Sequence, residues 1–431
     1  MEEKFMKKTI AILLALVLVV GLFAGCGKKS AGSVYYLNFK PEADEAWQAL
    51  AKTYTEKTGV KVTVVTAASG TYADTLTAEL DKSEAPTMFQ AGNQGAIDTF
   101  GDWCLDLRDT DVYKEMTTDA FNLKGTDGAV LSIGYCYESF GIIVNKALLK
   151  QAGYELTDIK DFASLKAAAD DIHARAAELG FDAFTSAGLD VTSSWRFSGH
   201  LFNMPLFYQA RDNGWTSQPS AITADYLDNF KAIWDLYTTD SATTGAALTT
   251  ATGDQAKAEF GKGEAVFYQN GTWEYANLTG EKFGMNPADL AMIPIYCGVA
   301  GEEKTGLCSG TENCWAVNKK ASEADQKATL DFMKWVVTSD EGTTMLAEQF
   351  GPCPFKNAKT PDNVFCADAN ALLAAGNYNV DWAFNWTPAV DDFRAGVVDA
   401  LTQYVAGTGD WAAVETSIVD GWAAMYAKDH A

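Results

Sequence analysis

The chain has 431 residues and carries 57 acidic against 33 basic side chains, a net charge of −24 with histidine neutral. A surface this acidic repels phosphate backbones and anionic lipid, which argues against nucleic acid as a partner. Single hydrophobic cores stop growing at about 250–300 residues, so a chain of this length is expected to build two lobes.

The N-terminus reads as a processing signal. Lys4, Lys7 and Lys8 form a basic stretch ahead of an unbroken apolar run from Ile10 to Val20. That run is short for a membrane span and matches the apolar region of a secretory signal. Leu22-Phe23-Ala24-Gly25-Cys26 resembles the lipobox of bacterial lipoproteins, with Phe23 standing where that pattern usually has Leu. The resemblance implies that residues 1–25 are a signal peptide and that Cys26 is acylated, so that the membrane is met through lipid and not through a protein face. The polar stretch 26–32 then reads as a flexible tether.

Beyond the tether, strands and helices alternate. Residues 34–39 read as a strand. Ala43, Ala46, Trp47, Leu50, Ala51 and Tyr54 follow at the spacing of one apolar helix face, closed by Gly59. A strand over 60–67, a helix over 72–86 stopped by Pro86 and a strand over 87–92 come next. Such alternation predicts parallel strands joined by helical crossovers in an α/β sheet. Residues 131–145 read as a strand pair running into a helix, and 160–260 as mostly helical with polar connectors. Strands are predicted at 265–272, 290–296 and 312–318, and a helix over 324–339. Two long helices finish the chain. One carries Val390, Phe393, Val397, Leu401 and Tyr404, the other Trp411, Val414, Ile418, Trp422 and Met425.

Chemistry-bearing motifs are scarce. No strand is followed by a glycine-rich nucleotide loop. The three histidines, His173, His200 and His430, belong to no hydrolase or zinc pattern. Cys104, Cys136, Cys297, Cys308, Cys314, Cys353 and Cys366 show no metal spacing and suit small buried side chains. Short bridges between Cys308 and Cys314, or Cys353 and Cys366, stay open as alternatives.

The aromatic residues sort into two groups. Trp47, Trp335, Trp411 and Trp422 fall on apolar helix faces, where packing explains them. Trp195, with Arg196 beside it, lies in the polar stretch VTSSWRFSG. Trp273 follows an Asn-Gly pair in FYQNGTWEYANL, read as a surface-prone turn. Trp382 and Trp386 lie in GNYNVDWAFNWTP, which has no regular period. Rings on loops suit a sugar, whose apolar C–H faces stack on aromatic plates while amides and charged groups bond the hydroxyl rim.

Six segments in order carry a wider likeness: YLNFKPEADEAWQALAKTYTEKTGVKVTVV, APTMFQAGNQGAID, IGYCYESFGIIVNKALLKQAG, GEAVFYQNGTWEYANL, TGLCSGTENCWAVN and MKWVVTSDEG. Together they resemble the extracellular solute-binding proteins of family 1, the carbohydrate-binding partners of ABC importers. The resemblance implies two α/β lobes with a hinge and an interlobe ligand cleft: a periplasmic-binding-protein-like fold. It places residues 33–137 and 313–350 in one lobe and 141–309 and 355–431 in the other, with hinges near 138–140, 310–312 and 351–354. It implies ligand contacts from Glu138 at the first crossing and from Trp273 as a stacking plate. Weaker expectations fall on Asn93 and Gln94 after the third strand, on Lys40 and Glu42 after the first, on Thr311 and Glu312 at the second crossing, and on Trp195, Arg196, Trp382 and Trp386. The expected protein is a monomer without cofactor or metal, lipid-anchored on the extracellular face of a bacterial cytoplasmic membrane, handing an oligosaccharide to a permease. A polyamine or peptide binder of the same fold, and an enzyme acting on glycans, are the competing readings.

Overall fold

A computed structural model describes residues 32–430 apart from Thr216, so the signal segment and Cys26 lie outside the described residues. Twelve strands are described: β1 (Ser33–Asn38), β2 (Lys61–Thr66), β3 (Met88–Gln90), β4 (Leu123–Lys124), β5 (Val130–Gly134), β6 (Glu138–Asn145), β7 (Asp182–Phe184), β8 (Ala265–Gly271), β9 (Leu290–Ile293), β10 (Thr305–Gly310), β11 (Cys314–Val317) and β12 (Tyr378–Asp381). They form two sheets, ordered β2-β1-β3-β11-β5-β4 and β12-β10-β6-β8-β7, with β9 also paired to β6. The fold is two-lobed, one sheet to each lobe.

The first sheet is built as the alternation predicts. Strands β1, β2 and β3 are parallel, and β11 joins antiparallel from a distant part of the chain. Helix Asp44–Thr58 buries Trp47, Leu50, Ala51 and Tyr54, and ends where Gly59 turns left-handed at φ 75°. Only glycine adopts that angle without strain, so the predicted stop is where the helix stops. Trp47 meets Tyr36 and Trp315 edge-on, and Tyr135 stacks on Trp315 at 4.1 Å between ring centroids. The helix starting at Tyr72 closes at Leu80, six residues before Pro86, because residues 81–84 turn out into solvent.

In the second lobe β6 is the spine. Every residue of the strand is buried, and it pairs with β8, β9 and β10. Burial on both faces explains its continuous apolar run. The final helices, Val390–Val405 and Trp411–Asp429, bury Phe393, Val397, Leu401, Val414, Ile418 and Trp422 against this core. The seven described cysteines are free thiols; Cys353 is half-buried and the rest are buried. Among the described residues no helix is long and apolar enough to cross a membrane.

Three stretches of chain pass between the lobes side by side. One joins β5 to β6, one joins β10 to β11, and the third follows helix Asp340–Gln349. They are tied to each other by hydrogen bonds: Tyr137 N–H donates to the Pro352 carbonyl at 3.0 Å, Tyr135 N–H to the Asn313 carbonyl at 2.9 Å, and Thr311 Oγ1 to the Cys136 carbonyl at 2.6 Å.

Candidate functional site

Between the lobes lies a cavity of about 600 Å³. Drug-sized ligand sites run at about 300–1,000 Å³. Where the crossing strands meet the cavity, the lining is a buried polar knot. Asn38, fully buried at the end of β1, clamps the next loop by accepting from Lys40 N–H at 3.1 Å and donating to the Lys40 carbonyl at 2.8 Å. The clamp turns the Lys40 ammonium onto Glu138, the first residue of β6, with contacts of 2.9 and 3.1 Å to its two oxygens. Asn313 Nδ2 donates to the same carboxylate at 2.6 Å, and Glu42 stands 3.6 Å from the ammonium. Burial raises the Glu138 pKa, and the Lys40 ammonium only partly opposes it. For Lys40, burial works against the charged form, but Glu138 and Glu42 outweigh it and hold the ammonium protonated.

Aromatic rings cover the second-lobe wall. Asn270 and Gly271 are no surface turn: they end β8, paired with Gly141 and Phe140 of β6, and both are buried. The turn comes one residue later, and Trp273 folds its ring back over Gly271. A Cβ there would lie 2.2 Å from the indole, so glycine is what lets the ring lie flat on the strand. Lys40 Nζ sits over the same ring at 4.8 Å from its centroid. Behind it Glu274 is buried, accepts from Asn270 Nδ2 at 3.1 Å, and has its pKa raised by burial. Trp382 lies on Gly310 by the same device, and its indole N–H donates to the Cys308 carbonyl at 3.0 Å. Trp195 is half-buried, with its N–H on the Thr192 carbonyl at 2.9 Å.

Sequence reasoning passed over His200. It stacks on Phe140 at 3.7 Å and 5°, and lies 4.8 Å from Trp195 and 5.5 Å from Trp273 between ring centroids. Burial lowers its pKa well below the ordinary value, and Arg394 and Arg196 push the same way, so the ring is neutral. Nδ1 meets the Gln269 amide at 3.1 Å; with that amide nitrogen donating, Nε2 carries the proton and can donate to a ligand. Arg394, over Phe384 at 5.4 Å, and Asn313 were missed too. Arg394 reads as one charge on an amphipathic helix and Asn313 as part of a strand, so neither carries a local signal.

Of the expected ligand contacts, Lys40, Glu42, Asn93, Glu138, Trp195, Trp273, Glu312 and Trp382 line the cavity. Four do not. Gln94 points into solvent and bonds Asp98 at 2.9 Å, because it follows the N-cap Asn93 and starts the outer helix face. Trp386 packs on the second-lobe core while its carbonyl accepts from Gln218. Thr311 spends its hydroxyl on the crossing strands. Arg196 is buried beneath the wall, its guanidinium against Trp195, Phe197 and Tyr268. Among the described residues no group of three His, Cys, Asp or Glu could hold a metal ion.

The fold and the buried cleft define a solute receptor, and the chain belongs to the bacterial extracellular solute-binding protein family, whose model matches residues 49–374. No curated protein sequence matches significantly. Among solved structures the chain is similar to the solute-binding protein RafE in complex with raffinose, at 16% identity and a TM-score of 0.72, over 91% of this chain and 99% of that one. It is also similar to the GacH receptor of Streptomyces glaucescens, solved unliganded and with acarbose, at 17% identity, a TM-score of 0.66, and 93% and 99% coverage. A sugar transporter from Bacillus licheniformis in complex with stachyose aligns at 16% identity, a TM-score of 0.66, and 91% and 99% coverage.

Proposed function

We propose that this protein captures a sugar, and an oligosaccharide in particular, in the interlobe cleft and delivers it to the permease of an ABC importer. The observation that carries the reading is the pairing of Trp195, Trp273, Trp382 and Phe384 on one wall of the cavity with carboxylate and amide groups on the other. Flat rings take the C–H faces of a pyranose, and the polar wall takes its hydroxyls. The raffinose, acarbose and stachyose bound by structurally similar proteins support the same ligand class. A polyamine fits less well, because the most buried carboxylate of the lining, Glu138, is already paired with Lys40 and Asn313.

In this reading the lobes are 33–137 with 313–350 and 141–309 with 355–431, and they close about the crossings near 138–140, 310–312 and 351–354. Cys26 carries the lipid that holds the mature chain, a monomer, at the extracellular face of the membrane. A thermal-shift screen with raffinose, stachyose, acarbose and chitin oligosaccharides tests the ligand class. A sugar at 100 times its Kd adds about 2.7 kcal/mol of stability; a panel in which no sugar raises Tm would sink the reading. The anchor is tested separately: Cys26→Ser should release the protein into the medium, and membrane retention of that variant would contradict lipidation.

A further inference from the structure

At the mouth of the cleft, one carbonyl oxygen receives donors from both lobes. The loop after β2 brings Ser69 Oγ to 3.0 Å from the Thr192 carbonyl, and Trp195 Nε1 donates to that same oxygen at 2.9 Å. Beside it Gly70, at φ 76°, lies so close to the Val191 carbonyl that a Cβ would sit 2.7 Å from its oxygen. The second-lobe loop is held in shape from behind. Asp190 accepts from Thr192 N–H at 3.2 Å and Gly253 N–H at 3.1 Å, and also takes the hydroxyls of Thr192 and Ser193.

A carbonyl oxygen has two lone pairs and accepts two hydrogen bonds in defined directions. With Trp195 on one of them, the other is aimed at Ser69. We propose that Ser69, Gly70 and Thr192 form a clasp that holds the cleft mouth shut, and that Trp195 is the positioning residue that sets it. The inference rests on reading the cavity as a ligand site, since Trp195 faces that cavity with its ring while its N–H holds the clasp carbonyl. A ligand stacked on Trp195 fixes the ring, the fixed ring fixes the carbonyl, and the carbonyl then receives Ser69 from the opposite lobe. A ligand too short to reach Trp195 adds nothing to the clasp, so the device favours longer chains.

The clasp can be tested without any sugar. Ala68 and Val191 are exposed on the two facing loops and the native thiols are buried or half-buried. In an Ala68→Cys/Val191→Cys background, a short bismaleimide should cross-link the loops when the mouth is shut. Ser69→Ala removes one donor, and Trp195→Phe keeps a ring but removes the other. Each should slow cross-linking about 2- to 12-fold, the range for one hydrogen bond. The double variant should be no slower than the slower single, because each donor works through the same oxygen. Parental rates in either single variant, or fold-changes that multiply in the double, would overturn the proposal. Adding stachyose should speed cross-linking in the parent and not in Trp195→Phe; if no panel sugar affects the parent, the sugar reading fails while the ligand-free comparison still decides the clasp.

Discussion

The two walls of the cleft are made differently. The first-lobe wall is the edge of a mixed sheet where the parallel strands β1 and β3 end and β11 begins, and it offers Lys40, Glu42, Gln90, Asn93 and Glu312. The second-lobe wall is rings laid on glycine-bearing strands, Trp273 on Gly271 and Trp382 on Gly310. Loops at a sheet edge change conformation more readily than the buried strands that back the rings, although Lys40 is clamped by Asn38. On the sugar-capture proposal, the second-lobe rings would select shape, hydrogen bonds would come from the first-lobe groups and from His200, and a ligand would meet both walls only with the lobes around it. At the crossing strands the walls are joined by the buried Lys40–Glu138–Asn313 knot.

Breaking that knot should have the largest effect. Glu138→Ala leaves the buried Lys40 ammonium without its partner, which typically costs about 3–5 kcal/mol, read by urea unfolding. The Lys40→Met/Glu138→Leu pair should recover most of the loss, since replacing a buried ion pair by apolar groups is often close to neutral. If Glu138→Ala unfolds at the parental midpoint, the pair contributes no stability and its burial needs another reason.

Next comes the aromatic wall itself. Trp273→Ala should weaken binding of the best panel sugar by about 2–4 kcal/mol, or roughly 30- to 1,000-fold in Kd. Trp422, fully buried among Phe393 and its neighbours, provides the contrast. Trp422→Ala should lower Tm and leave the affinity of the folded fraction intact. Calorimetric titration of both variants separates plate from core, and parental affinity in Trp273→Ala would move that ring to the core.

A smaller effect concerns pH. His200 has its folded pKa depressed well below 6.5 by burial, with two arginines adding to it. The unfolded chain takes up a proton below about pH 6.5 and the folded one does not, so stability falls as pH drops below that value. One proton gives a slope of at most about 1.4 kcal/mol per pH unit. His200→Gln cannot titrate and should flatten that part of the profile between pH 6.5 and 5. An unchanged slope would mean that the imidazole is protonated in the fold.

The same contrast explains what could be read in advance. Helix Asp44–Thr58, with its apolar face and Gly59 stop, was legible because period and cap are local signals. Trp273 was legible as a ring off any helical face, but its setting was not: an Asn-Gly pair usually turns, and here tertiary pairing with β6 keeps it extended. Strand β10 was missed because its sequence, TGLCSG, is weak in strand formers, and the two residues Gly306 and Gly310 answer to the close approach of Tyr378 and Trp382. His200 entered the cleft through a short π-helical turn at Arg196–Leu201, which no period announces. Gln94 and Asn93 are adjacent in sequence, yet one caps a helix at the cavity and the other faces water. Residue type gave their chemistry, and only the cap geometry parted them.

The smallest effect lies at the edge of the aromatic wall, where helix Val390–Val405 begins. Ala389 is left-handed at φ 37°, ψ 56°, and its N–H donates to Asp429 Oδ2 at 2.6 Å. For a residue with a Cβ this conformation costs about 1–2 kcal/mol, and Asp429 from the final helix keeps it in place. Glycine would remove the steric cost but add about 0.4–1 kcal/mol of unfolded-chain entropy. Ala389→Gly should therefore stabilise by between nothing and about 1.6 kcal/mol, visible as a slight rise in Tm. Ala389→Val should go the other way, because a β-branched residue tolerates positive φ worst. Sugar affinity should hold in the glycine variant, since the hydrogen bond to Asp429 uses the backbone alone. A valine variant as stable as the parent would show that the turn is not left-handed, and that this wall begins from a relaxed helix start.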